Sequence, residues 1–225
     1  FPGMLAGGLA AAAVPILNIA ARPETFLAQT GTPLSILFSQ NWSMLGMLNL
    51  FYLIIGACIL YHIEYAGGAM EKMKALPISQ GGIFAAKTLL LFGMTMGAVI
   101  MELLALWFCA WHWFSVGSEA IIPLLCELGY QLAMLLPVCI LMNLISSFCR
   151  NLWIALGIGV ICLFTATVTI TLNHPFVDFF PFSLPMQSLT ETGENSLRFL
   201  PAAMIESVLF ATAAGISIPL RRRLA

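Results

Sequence analysis

The sequence predicts an all-α, polytopic membrane protein with six transmembrane helices, and three observations carry that prediction. Hydrophobic residues make up 60% of the 225-residue chain and charged residues only 8%, against about 25% charged residues in a soluble domain. So few charges cannot cover a water-facing surface, and the mean hydropathy of +0.98 agrees. The apolar residues also run continuously, whereas a membrane barrel strand alternates over about 10 residues. Helices satisfy every backbone group within one segment and are the spanning solution that fits.

A spanning helix needs about 20 apolar residues. Six stretches meet this: 1–21, 43–65, 86–112, 120–147, 152–172 and 201–220. The third and fourth exceed the minimum, so tilt or protrusion beyond the bilayer is expected. Pro15, Pro123, Pro137, Gly157 and Gly159 fall inside these runs, where membrane helices tolerate them. The sequence opens on Phe1-Pro2-Gly3, with no basic region or small-residue cleavage site before the first run. No signal peptide is therefore expected, and a short cytosolic leader is expected to precede Phe1. Without internal repeats or heptads, residues 1–225 read as a single transmembrane domain.

The connecting segments predict orientation. Lys72, Lys74 and Lys87 lie between or beside the second and third runs, Arg150 between the fourth and fifth, and Arg221, Arg222 and Arg223 after the sixth. The alternate loops hold only Arg22 and Arg198. The positive-inside rule assigns the first set to the cytoplasm, so both termini are expected there. The outer loops, 22–42 and 173–200, are long. The second contains an aromatic, proline-broken piece, Phe176 to Phe182, then Pro185 and a polar stretch over 187–198. It is too short to span and predicts an interfacial or re-entrant segment. Trp42, Trp111, Trp113 and Phe114 stand where an outer aromatic belt is expected.

Several function classes are excluded by what is missing. Net charge is −1, so no basic footprint for nucleic acid exists. The six cysteines, Cys58, Cys109, Cys126, Cys139, Cys149 and Cys162, form no CxxC pair and sit in or beside apolar runs, which is neither a disulfide framework nor a zinc site. His62 and Glu64 are two residues apart and diverge by about 200° on a helix, so they cannot easily share a metal. His112 and His174 lack a second ligand of matching spacing. No GxxxxGK[ST] loop is present, and a phosphate cradle needs those amides and that lysine. The chain is expected to be non-catalytic, with no cofactor of its own.

The hairpin between the second and third runs is the most informative segment. Over about 66–85, Glu71, Lys72 and Lys74 alternate with Met70, Met73, Leu76 and Ile78. This spacing predicts a short amphipathic helix ended by Pro77, with Ser79 starting the next helix. The pattern fits an interfacial turn or a docking helix for a cytosolic partner. Glu64 is placed to anchor the loop at the membrane surface.

These residues resemble a family. Tyr61-His62-Ile63-Glu64-Tyr65, then Glu71-Lys72-Met73-Lys74, Leu76-Pro77 and Lys87, are similar to the permease subunits of ABC-2-type exporters. With Phe1-Pro2-Gly3, Ala11 to Pro15 and Asn41-Trp42, the chain most resembles the lantibiotic-immunity permeases. The resemblance implies a type V ABC exporter fold, with a coupling helix in the hairpin that rests on a separate ATPase and short outer-leaflet helices near 173–200. It implies docking by Glu71, Lys72, Met73, Lys74, Leu76 and Pro77, with ATP and Mg bound by two copies of the partner ATPase. It also implies a second permease copy or a related permease, membrane lipid around them, and a bacterial plasma membrane.

Ionisable groups at membrane depth cost a few kcal/mol or more and should face a partner or a wet cavity. Glu102, Glu127 and Glu206 lie within the third, fourth and sixth runs, and Gln131 shares a helix face with Glu127 at i, i+4. They read as hydrogen-bonded structural groups, as a translocation interface that meets a cationic peptide, or as proton-coupling groups. Asn18, Asn49 and Asn143 are intramembrane amides of the kind that hydrogen-bond across helices, and Gly3 with Gly7 forms a GxxxG. The leading expectation is a permease subunit of an ATP-driven exporter that expels a lantibiotic or similar cationic antimicrobial peptide. The alternatives are a stand-alone secondary transporter or channel, which would call for inverted repeats, and an intramembrane enzyme, which would call for converging ligands.

Overall fold

A computed structural model of the chain describes residues 2–29, 31–66, 79–117, 121–149, 151–172, 175–187, 189 and 197–224. Among them all regular structure is helical. In chain order the helices are α1 (Pro2–Ala21), α2 (Pro23–Leu27), α3 (Pro33–Ala66), α4 (Gln80–Phe114), α5 (Ile121–Phe148), α6 (Leu152–Thr171) and α7 (Phe199–Leu224). Two short 3-10 turns, Pro175–Phe179 and Leu184–Met186, lie between α6 and α7. All but α2 are long and apolar enough to cross a membrane.

Local chemistry sets the helix ends. α1 stops before Pro23, because a proline disfavours helical backbone in the residue ahead of it. α4 starts at Ser79, whose Oγ accepts from the Gly82 amide at 3.2 Å, and stops at Ser115, which takes the left-handed conformation with φ 54°. Asn151 caps α6 by accepting from the Trp153 amide at 2.9 Å.

The second apolar run was expected to begin at 43, yet α3 begins at Pro33 and runs for 34 residues. Its start has two signals: proline in the first helical position, and Thr32, whose Oγ1 accepts from the Ser35 amide at 3.4 Å. The polar Asn41-Trp42-Ser43 stretch reads as an interface in one dimension, but Asn41 is fully buried and Trp42 nearly so. Trp42 is therefore not part of an outer aromatic belt. Its ring packs edge-on to Phe38, with centroids 5.7 Å apart. Trp111, by contrast, is 59% exposed. The third run likewise begins at Gln80 rather than 86, and the sixth ends at Leu224 rather than 220. At 1.5 Å per residue α3 and α4 are each about 50 Å long, against a hydrocarbon core of about 30 Å.

The bundle has two apolar centres. One gathers Leu50, Leu53, Ile54, Leu91, Leu135, Met142 and Leu163 from α3 to α6. The other gathers Leu37, Phe38, Trp42, Leu106, Tyr130, Met134 and Phe199 from α3, α4, α5 and α7. Lipid tails are as apolar as leucine, so dispersion and close approach, rather than escape from water, hold such helices together. Between the centres lies the 175–187 segment. Phe182, Ser183 and Leu184 are fully buried, and Ser183 Oγ donates to the Phe180 carbonyl at 2.7 Å. Irregular backbone at membrane depth is tolerated where protein covers it, and α3 provides that cover. A Cβ on Gly46 would stand 2.6 Å from the Pro185 carbonyl oxygen, so only glycine admits the segment at this distance.

Candidate functional site

At one end of the bundle, α3 and α4 approach the 67–78 segment that joins them. Tyr61, Glu64 and Tyr65 share one helical face at i, i+3 and i+4. Across from them Lys87 and Thr88 leave α4. The Lys87 ammonium donates to Glu64 Oε2 and sits 3.5 Å from the centre of the Tyr61 ring, a cation–π contact. Only 9% of the Lys87 side chain and 21% of the Glu64 side chain are exposed. A charge this covered needs a partner, and the ring face and carboxylate together supply one. Next to it, Asn143 Nδ2 of α5 donates to Thr88 Oγ1 at 2.8 Å, and the Tyr65 hydroxyl donates to the Ser147 carbonyl of α5 at 2.8 Å. Three helices are thus tied together by side chains where the hairpin leaves the bundle.

The chain direction brings further basic residues to this end. α5 finishes beside Tyr65, and α7 runs parallel to α5, since Phe199 and Ala203 share a core with Tyr130 and Met134. The last turns of α7, with Arg221, Arg222 and Arg223, therefore lie towards the hairpin end, whereas Arg22 and Arg198 lie at the other. There Arg198 meets Asp178 at 3.4 Å on the surface.

The second group of polar residues lies inside the bundle. Asn49 Nδ2 of α3 donates to Glu102 Oε2 of α4 at 2.8 Å, both groups buried. This pairing is a helix-to-helix hydrogen bond of the kind intramembrane amides make. Glu127 and Gln131 are both buried on α5, and Glu206 is buried on α7, which packs along α5. Among the described residues, both Glu127 carboxyl oxygens, Gln131 Oε1, Glu206 Oε2, Glu102 Oε1 and Asn49 Oδ1 have no hydrogen-bond partner. Unpaired buried acceptors cost about 1–3 kcal/mol each, so each is a place where a donor would be favoured.

Glu102 is thus joined to Asn49, and Glu127 lies with Gln131. Glu64 meets Lys87, which in the sequence stands as a marker of orientation and as part of the family resemblance but not as a partner of Glu64. The signal was available: a lone lysine inside an apolar run, across a hairpin from a lone glutamate. Glu71, Lys72, Met73, Lys74, Leu76 and Pro77 lie outside the described residues. No group of three or more His, Cys, Asp or Glu side chains among the described residues could hold a metal ion.

Comparison with known proteins adds a family to this geometry. The family described as "ABC-2 family transporter protein" matches residues 2–166, from α1 through most of α6. No match was found among curated proteins or among solved structures. A helical bundle with six candidate spans, its long second and third spans tied at their shared hairpin, and a family match over most of its length lead to one conclusion: the chain belongs to the ABC-2 family of membrane transporter proteins.

Proposed function

We propose that the chain is the permease subunit of an ATP-driven exporter in the bacterial plasma membrane, with both termini and the 66–85 hairpin in the cytoplasm. ABC-2 membership implies an ABC ATPase partner in general. In this reading two ATPase copies bind ATP and Mg and dock on Glu71, Lys72, Met73, Lys74, Leu76 and Pro77. A second permease copy or a sister permease completes the membrane part. The exported molecule is a lantibiotic or a similar cationic antimicrobial peptide, for which Glu102, Glu127, Gln131 and Glu206 offer buried acceptors.

One observation carries the proposal furthest. The Glu64–Lys87 bridge with Tyr61 ties the two stems of the hairpin to each other, and the Tyr65–Ser147 and Asn143–Thr88 bonds tie them to α5. A push on the hairpin is then transmitted to three helices together rather than absorbed by fraying at its roots. The segregation of Lys87 and the Arg221 to Arg223 run at this end supports the cytoplasmic assignment.

Reversal of the hairpin charges, Glu71→Lys with Lys74→Glu, tests the docking assignment. Peptide-stimulated ATP hydrolysis by the reconstituted complex should fall at least tenfold towards its basal rate, with export lost. Normal export by the variant would remove the hairpin from the mechanism.

A further inference from the structure

A cleft of about 560 Å³ runs between α1 and α3 and is backed by Ala98 of α4. Small-molecule sites fall in the range of about 300–1,000 Å³. Gly3, Gly7 and Ala10 hollow out its α1 wall, and Ile55 and Ile63 line α3 at its rim, 44% and 61% exposed. From Leu48 to Ile63 the α3 wall extends about 22 Å. Its walls are apolar, and among the described residues Asn49 and Tyr52 are the only polar side chains that line it.

Asn49 decides what the cleft can hold. It is 99% buried, its Nδ2 is committed to Glu102, and its Oδ1 has no partner among the described residues. Behind it, Glu102 Oε1 is also unpartnered. Among the described residues no cationic side chain lines the cleft. Its polar end therefore holds the unpartnered Asn49 Oδ1 backed by a carboxyl group, beside the Tyr52 hydroxyl, which can donate as well as accept, and the carboxyl group disfavours an anionic head there. An ammonium group carries three donors and no acceptor. Paired with a carboxylate it leaves no net charge inside the membrane, which is the condition under which a buried charge is tolerated.

We propose that this cleft binds a long-chain primary amine, with the alkyl chain along α1 and α3 and the ammonium donating to Asn49 Oδ1, Glu102 supplying the counter-charge one hydrogen bond behind. The site shares Glu102 with the translocation interface proposed above, but it needs neither nucleotide nor ATPase. Its failure would leave hairpin docking untouched, and failure of hairpin docking would leave the site intact.

The test uses the purified chain in maltoside detergent at pH 7, with radiolabelled dodecylamine as probe and unlabelled dodecylamine, dodecanol and dodecanoic acid as competitors. Saturable binding of one amine per chain is expected, with the alcohol and the acid at least tenfold weaker. Glu102→Gln keeps an acceptor for Asn49 but removes the charge, and should weaken amine binding at least tenfold. Gly7→Leu should do the same by filling the cleft; the Cβ it adds meets only Tyr52 ring carbons at 3.7 and 3.8 Å, ordinary van der Waals contact. Equal competition by the three head groups, uptake that never saturates, or undiminished binding by either folded variant would overturn the proposal.

Discussion

At the scale of single residues, the polar groups of this chain matter because there are so few of them. A glutamate in an apolar helix announces itself by composition alone, so Glu102, Glu127 and Glu206 were visible in the sequence. Their partners were not. Asn49 lies 53 positions from Glu102, and no helical period links residues on different helices. The same holds for Glu64 and Lys87, 23 positions apart across the hairpin. Removing one member of that pair leaves the other charge covered and alone. Lys87→Met should therefore lower stability in detergent by about 1–3 kcal/mol, read as a fall in melting temperature. The exchanged pair, Glu64→Lys with Lys87→Glu, should recover at least half of the loss. A Lys87→Met protein that melts with the wild type would show that the Tyr61 ring and the carboxylate contribute nothing to stability.

At the scale of elements, apolar run length was enough to locate the helices, and their ends were where the reading slipped. α3 begins ten positions earlier than the hydropathy pattern suggested, since Asn41 and Trp42 are covered by tertiary neighbours that a one-dimensional pattern cannot see. Asn41 illustrates the point: its Oδ1 accepts from Asn18 of α1 at 2.9 Å, and its Nδ2 donates to its own helix at Leu37. The cap at Thr32 and the proline at 33 were the local signals for the true start. Irregular backbone over 175–187 was suggested by its prolines, but its seat against Gly46 was not, because a glycine in a membrane helix has many uses. Three glycine-to-alanine variants separate those uses. Gly46→Ala meets backbone at 2.6 Å and should cost about 1–3 kcal/mol, with faster proteolysis between α6 and α7. Gly159→Ala meets Cγ2 of the fully buried Ile54 at 2.6 Å and the end of Met142 at 3.0 Å; Met142 can move but the branched Ile54 cannot readily, so a comparable loss is expected, without the faster proteolysis between α6 and α7. Gly157→Ala meets nothing within 4 Å and should be neutral. Equal melting temperatures for all three would mean that the 175–187 segment is not seated on α3 as described.

At the scale of the whole molecule, the fold class followed from physics that leaves little choice: a chain with 8% charged residues must be solvated by lipid, and continuous apolar runs must be helices. Function was less legible, because the proposed coupling to another protein's ATP hydrolysis would leave no catalytic signature in this chain. What the sequence did offer was a charged hairpin and its basic flank, and what the structure adds is the way the hairpin stems are tied to α5. The orientation proposed for that hairpin has its own check. In a cysteine-free background, a single cysteine at Ser79 should react with an impermeant maleimide only after the cells are opened. Labelling of intact cells would place the hairpin outside and reverse the topology.

The central claim is that this bundle is driven by a separate ATPase through the 66–85 hairpin. Purification of the tagged chain from its native membranes in mild detergent tests it most directly, with ATP hydrolysis measured on what is retained. A co-purifying ABC ATPase should be retained by the wild type and lost from the Glu71→Lys, Lys74→Glu variant. A chain that transports on its own in proteoliposomes, with no ATPase bound, would contradict it.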